Sequence, residues 1–273
     1  ITGSNITVSN SKFINGSAYM DAGKDSTKVD GGALFVTGNY VTIKNNTFEQ
    51  CKAVNNGGAV YVIGNNTEIT ECVFGENTGL DGAALYVEGH DCKVSDSTFK
   101  DNTAGDDGAA IYWEGDYGLI EDIVFYNNTG LSVNTSSSRG GAVCLTGSNV
   151  IITKSEFTLN SVLLSKGADE NKTDGGAIFI TGNDVNITES VFSQNSAANL
   201  GGTIYIIGGF KKNGDTAIIA PVISSSPNGT NYSTLSSITA RVASRHPREI
   251  FEEGFVECVA IAFNNKLWIL GIS

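Results

Sequence analysis

Proline is nearly missing from this chain, with 3 in 273 residues, and Met (1), Trp (2) and His (2) are almost as rare. Arginine occurs only as Arg139, Arg241, Arg245 and Arg248. Two histidines, His90 beside Asp91 and His246 in the last quarter, leave little for acid–base chemistry and supply no ligand set at zinc spacing. With 17 basic against 29 acidic residues the net charge is -12, which repels nucleic acid and anionic lipid. No apolar run is long enough to cross a bilayer as a helix; the stretch from Phe255 to Phe263 is followed by Asn264, Asn265 and Lys266. The five cysteines, Cys51, Cys72, Cys92, Cys144 and Cys258, form no Cys-x-x-Cys pair, and the first four fall at different repeat positions. They read as buried free thiols. A Met start and a leader segment are also missing, so the expectation is a chain that begins partway through a longer protein.

What the chain has instead is glycine, 33 residues of it, arranged in a repeat. A phrase Gly-Gly/Ala-Ala-aliphatic-aromatic-aliphatic, imperfect in places, starts at Gly31, Gly57, Gly82, Gly108, Gly140, Gly175 and Gly201. Phenylalanines stand at Phe13, Phe48, Phe74, Phe99, Phe125, Phe157 and Phe192, and each Gly start with a Phe after it precedes that Phe by 17 residues. From each Phe to the next Gly start the separation is 18, 9, 8, 9, 15, 18 or 9, so all length variation falls at one corner. Five residues before the Phe stands a β-branched aliphatic (Val8, Ile43, Ile69, Val94, Ile120, Ile152, Ile187), and three after it an Asn in five repeats (Asn77, Asn102, Asn128, Asn160, Asn195). Gly16 and Cys51 take the Asn place in the other two.

A unit of about 25 residues cannot bury its own apolar face and must hand it to the next copy. Apolar residues alternate as in strands, with no helical period. The fold class predicted is therefore all-β, a right-handed parallel β-helix of about seven coils. At roughly 4.8 Å per coil this makes a rod of roughly 34 Å. The repeat occupies residues 1–206; residues 207–273 hold all three prolines and no further phrase, and read as a cap, a linker or a poorly ordered tail.

The Gly-Gly-Ala-Ile/Leu/Val phrases paired with Phe-x-x-Asn (Phe74 to Asn77, Phe99 to Asn102, Phe157 to Asn160, Phe192 to Asn195) resemble the repeats of chlamydial polymorphic outer-membrane proteins. They are also similar to those of adhesin-like surface proteins of methanogenic archaea. The resemblance covers residues 1 to about 206; Cys51 and the Gly-Ala-Ala phrases at Gly82 and Gly108 depart from it. It implies an extracellular or cell-surface protein that attaches to cells, through surface glycans or surface proteins, with no cofactor and no catalytic residues. The alternative is a carbohydrate-active enzyme, a polysaccharide lyase or glycoside hydrolase, since such enzymes also use parallel β-helices. Its candidate carboxylates are Asp30, Asp81, Asp107 and Asp174, each just before a Gly start, with Glu88 and Glu114. Turn capping is the simpler role for the aspartates. Ten Asn-x-Ser/Thr sequons occur, at Asn5, Asn15, Asn45, Asn65, Asn127, Asn134, Asn171, Asn186, Asn228 and Asn231.

The candidate binding residues are the fifth of each Gly phrase: Phe35, Tyr61, Tyr86, Tyr112, Phe179 and Tyr205, with Cys144 in the remaining coil. Their parity is opposite to the aliphatics beside them, which places them on the outer face. Four tyrosine hydroxyls fit contact with water there. The expectation is an exposed aromatic stripe centred on Tyr61, Tyr86 and Tyr112, able to stack on sugar rings or a partner's apolar patch. The longer segments Gly16–Asp30, Thr129–Arg139 and Ser161–Asp174 are expected to protrude from one edge beside it.

Overall fold

The structure is a computed structural model; it describes residues 1–19, 29–132, 138–164, 173–199, 201–206, 232–237, 257–263 and 266–272. Residues 1–206 wind into a parallel β-helix. Three sheets run along the rod, each taking strands from successive coils in sequence order.

The Gly-phrase sheet has seven strands, from Leu34–Val36 through Val60–Val62, Leu85–Val87, Ile111–Trp113, Val143–Leu145 and Ile178–Ile180 to Ile204–Ile206. Its register is unbroken: Tyr61 pairs with Tyr86, Tyr86 with Tyr112, and Tyr112 with Cys144. The Phe sheet pairs Phe13 with Phe48, Phe48 with Phe74, and so on to Phe157 with Phe192. A third seven-stranded sheet, from Ser17–Ala18 to Ser196–Ala197, leads into the variable corner.

Side-chain alternation fills the rod. Phe48, Phe74, Phe99, Phe125 and Phe157 are fully buried, and their rings stack at centroid distances of 4.5 to 5.4 Å. The β-branched row from Ile43 to Ile187 and the inward residues of the Gly phrases, such as Leu85, Val87, Ile111 and Trp113, complete one continuous core. Burial of these rows is the main driving force for the fold, because no single coil has an inside of its own.

Each coil turns at left-handed corners. The first Gly of every phrase has positive φ, from 55 to 72°. Three further corners stand eight and three residues before the Phe and two after it, as at Asp91, Asp96 and Asp101 around Phe99. Most of these residues are Asn, Asp, Gln or Glu; Asn and Asp tolerate this region better than other side chains. The five-residue spacing is legible in the sequence, yet the Phe and Gly rows conceal it.

In the tail, the described strand Tyr232–Ser237 pairs antiparallel with Asn186–Ser193 of the last Phe-sheet coil, and Glu257–Phe263 forms a hairpin with Lys266–Ile272. The other tail residues lie outside the described ones. So do residues 20–28, 133–137 and 165–172, which make up much of the three long segments at the variable corner. Their stems are described and leave from that corner: Thr129–Ser132 pairs with Ser161–Leu164, and Ser138–Arg139 with Thr173–Asp174. No described helix is long and apolar enough to cross a membrane.

Candidate functional site

The aromatic row lies outside the core cluster, as its parity requires, but it is not the exposed stripe expected from the sequence. Tyr61 is 7% exposed, Tyr86 6% and Phe179 1%; Tyr112 is half-buried, and Phe35 alone, at 40%, is open. The side-chain setting of Tyr205 is outside the described residues, although its backbone pairs with Phe179.

Three contacts account for the burial. Each ring is covered by its neighbours, with Phe35, Tyr61, Tyr86 and Tyr112 stacked at 5.2, 4.9 and 4.8 Å. Behind the row, the left-handed Gly turn presses so close that a Cβ on Gly57 would stand 2.9 Å from the Tyr61 Cβ. At the polar end, the Tyr61 hydroxyl donates to Glu88 and that of Tyr86 hydrogen-bonds Glu114. Burial first, then these carboxylates, holds both phenols far above their ordinary pKa, so both stay protonated donors. Phe35 stacks on Tyr61 on one side. Phe179 is closed by the Arg139 guanidinium, 5.0 Å above its ring.

This pairing was available in the sequence. The acceptor for Tyr61 and for Tyr86 is the seventh residue of the following Gly phrase, Glu88 and Glu114. Two of the four hydroxyls assigned to water, those of Tyr61 and Tyr86, are satisfied by protein instead.

The aspartates before the Gly starts cap the next coil. Asp30 Oδ1 accepts from the Asn56 backbone N–H at 3.0 Å and from Asn55 Nδ2 at 2.7 Å. Asp81 Oδ1 accepts from the Asp107 N–H at 2.8 Å, and Asp174 Oδ1 from Asn199 Nδ2 at 2.9 Å. Burial, with the neighbouring carboxylates adding to it, pushes Asp81 to about 6 and Asp107 to about 7. Asp81, Asp106 and Asp107 bring carboxylate oxygens within 4.8 Å of one another and are the described group that could hold a hard cation. His90 is likewise a turn residue: its Nδ1 accepts from the Asp116 N–H at 3.0 Å. Cys51, Cys72, Cys92 and Cys144 are buried free thiols; Cys258 lies outside this statement.

Among the outer positions with exposed apolar residues, one row not singled out in the sequence runs along the variable corner. The sixth residue after each Phe is Tyr19, Val54, Leu80, Gly105, Leu131, Leu163 or Ala198. Four of these are large apolar side chains in water, Tyr19 at 74%, Val54 at 41%, Leu80 at 37% and Leu163 at 47% exposure. They leave the third sheet at the variable corner, where Leu131 pairs with Leu163. Nothing inside the rod calls for apolar residues at that position.

A family model described as the right-handed beta helix region matches residues 1–217. The chain belongs to that family. Membership fixes the hand of the coil and agrees with the parallel sheets. No curated protein and no solved structure matches this β-helix significantly.

Proposed function

We propose that this β-helix is a non-catalytic, adhesin-like binding module displayed at a cell surface, and that it attaches through the variable corner. The observation that carries this reading is the exposed row Tyr19, Val54, Leu80 and Leu163, lying where every change in coil length occurs. The row runs through three successive coils from Tyr19 to Leu80 and resumes at Leu163 after Gly105 and the half-buried Leu131; exposed apolar side chains grouped in this way mark contact surfaces, and insertions beside them change the contact without disturbing the core. The partner such a row fits is an apolar patch on another surface protein. The repeat resemblance to polymorphic outer-membrane and adhesin-like proteins supports the surface location. Roles found for the carboxylates support a non-catalytic reading: Asp30, Asp81 and Asp174 cap turns, while Glu88 and Glu114 bind tyrosines.

The largely covered aromatic stripe does not enter this proposal. Replacing Leu80 and Leu163 together by Asp tests the assignment, because both are exposed and away from the core. Attachment of the purified module to target cells is expected to fall at least tenfold while circular dichroism and melting stay unchanged. Undiminished attachment overturns the assignment.

A further inference from the structure

Six of the ten sequons start in described residues, and the fold sorts them. Asn5, Asn15, Asn45 and Asn127 sit at left-handed corners, with φ of 57, 55, 52 and 54°, and all four are exposed. At such a corner the chain reverses, and the side chain lies on the outer surface of the coil.

The other two are held differently. Asn65 is half-buried and its Oδ1 accepts from the His90 N–H at 2.8 Å; Thr67 of the same sequon is 1% exposed and donates to Gly64 O at 3.1 Å. Asn186 is exposed like the four, but it opens the strand Asn186–Ser193 and does not stand at a left-handed corner.

A second observation points to three of these corners, those of Asn5, Asn15 and Asn127. Ile6, Ile14 and Tyr126 are each next to a corner asparagine and are exposed by 39, 51 and 45%. An apolar side chain beside a glycosylated Asn has the apolar face of the first sugar to cover it.

We propose that Asn5, Asn15, Asn45 and Asn127 are N-glycosylation sites. The inference rests on the surface reading, since the modification requires export. In the step, the Asn Nδ2 bonds to the anomeric carbon of a saccharide carried on a lipid phosphate. The bond from that carbon to the phosphate oxygen breaks, the lipid phosphate leaves, and Nδ2 yields one proton to the transferase.

The modified amide keeps one N–H. That is enough for the cross-coil bonds from Asn45 Nδ2 to Asn10 Oδ1 at 2.7 Å and from Asn127 Nδ2 to Asp101 Oδ1 at 2.6 Å.

The test is mass-spectrometric mapping of proteolytic peptides from the full protein recovered from its own cells, with surface biotinylation of intact cells read in parallel. Saccharide masses are expected on the four corner asparagines and not on Asn65 or Asn186. A surface-labelled protein whose corner peptides are unmodified overturns this inference and leaves the surface reading standing. Failure of both readouts overturns both, and equal modification of Asn65 and Asn186 overturns the assignment by corner.

Discussion

The side-chain oxygen of Asn128 accepts two hydrogen bonds from Asn102, one from its backbone N–H at 3.1 Å and one from its Nδ2 at 2.9 Å. Asn102 Nδ2 also donates to Phe74 O at 3.1 Å, and Asn102 Oδ1 serves Asn77 in the same way. The pattern continues through Asn160 to Asn195, with every member of the row buried. A buried amide with both donors and its acceptor engaged is strongly tied to its place.

Replacing Asn102 by Ala strands the Phe74 carbonyl and the Asn77 backbone N–H in the core and removes one of the two donors to Asn128 Oδ1, so a loss of about 3 kcal/mol is expected. Urea denaturation reads it as a lower midpoint.

Cys51 occupies the Asn place in the second coil, where its Sγ lies 3.4 Å from Phe13 O and its N–H donates to Asn77 Oδ1 at 2.9 Å. Cys51→Asn extends the ladder by one rung at similar volume. A gain of about 1 kcal/mol in the same titration is the expected result.

Tyr61, Tyr86 and Tyr112 are structural members of the outer face. Replacing all three by Ser removes stacked, mostly buried rings and is expected to cost about 3 kcal/mol for each of the two most buried. A sharp drop in melting temperature, and not a selective loss of attachment, is the predicted outcome. The single change Tyr86→Phe keeps the ring and frees Glu114, which is exposed to solvent, so a cost of about 1 kcal/mol is expected.

Protons bind the folded protein more tightly at the acidic turns. Asp81 rises from 3.8 to about 6 and Asp107 from 3.8 to about 7. Between pH 4 and 7 the folded state holds protons that the unfolded chain has released, so these groups make stability fall as pH rises through that window. Asp107→Asn is expected to flatten the fall, which chemical denaturation at pH 5 and pH 8 measures directly.

Thiol accessibility gives a further check. Burial raises the pKa of Cys51, Cys72, Cys92 and Cys144, Cys92 to about 11, so these four thiols are protonated and shielded. Tryptic mapping after maleimide treatment of the native protein is expected to find all four unlabelled, and labelled once denaturant is present.

The coil, the Phe and β-branched rows, the Asn ladder and the variable corner are all legible in the sequence. In a stacked repeat, equivalent positions meet their own copies, so the sequence lists the lateral contacts in advance. Phe74 on Phe99 and Asn77 on Asn102 are of that kind. The spacing from Gly57 to Phe74 is the same 17 residues as from Gly82 to Phe99, and that fixes the register.

The sequence does not fix what covers an outward face. Parity puts Tyr86 outside the core. Its exposure depends on Glu114 in the next coil, on the rings above and below, and on how near the Gly turn lies. The same parity argument cannot tell Tyr86 from Leu163, which is 47% exposed in the tertiary structure. Sequence alone determined the coil because stacking is a lateral relation between like positions. Only the tertiary structure decided which outer row is open, because covering joins unlike positions across a turn.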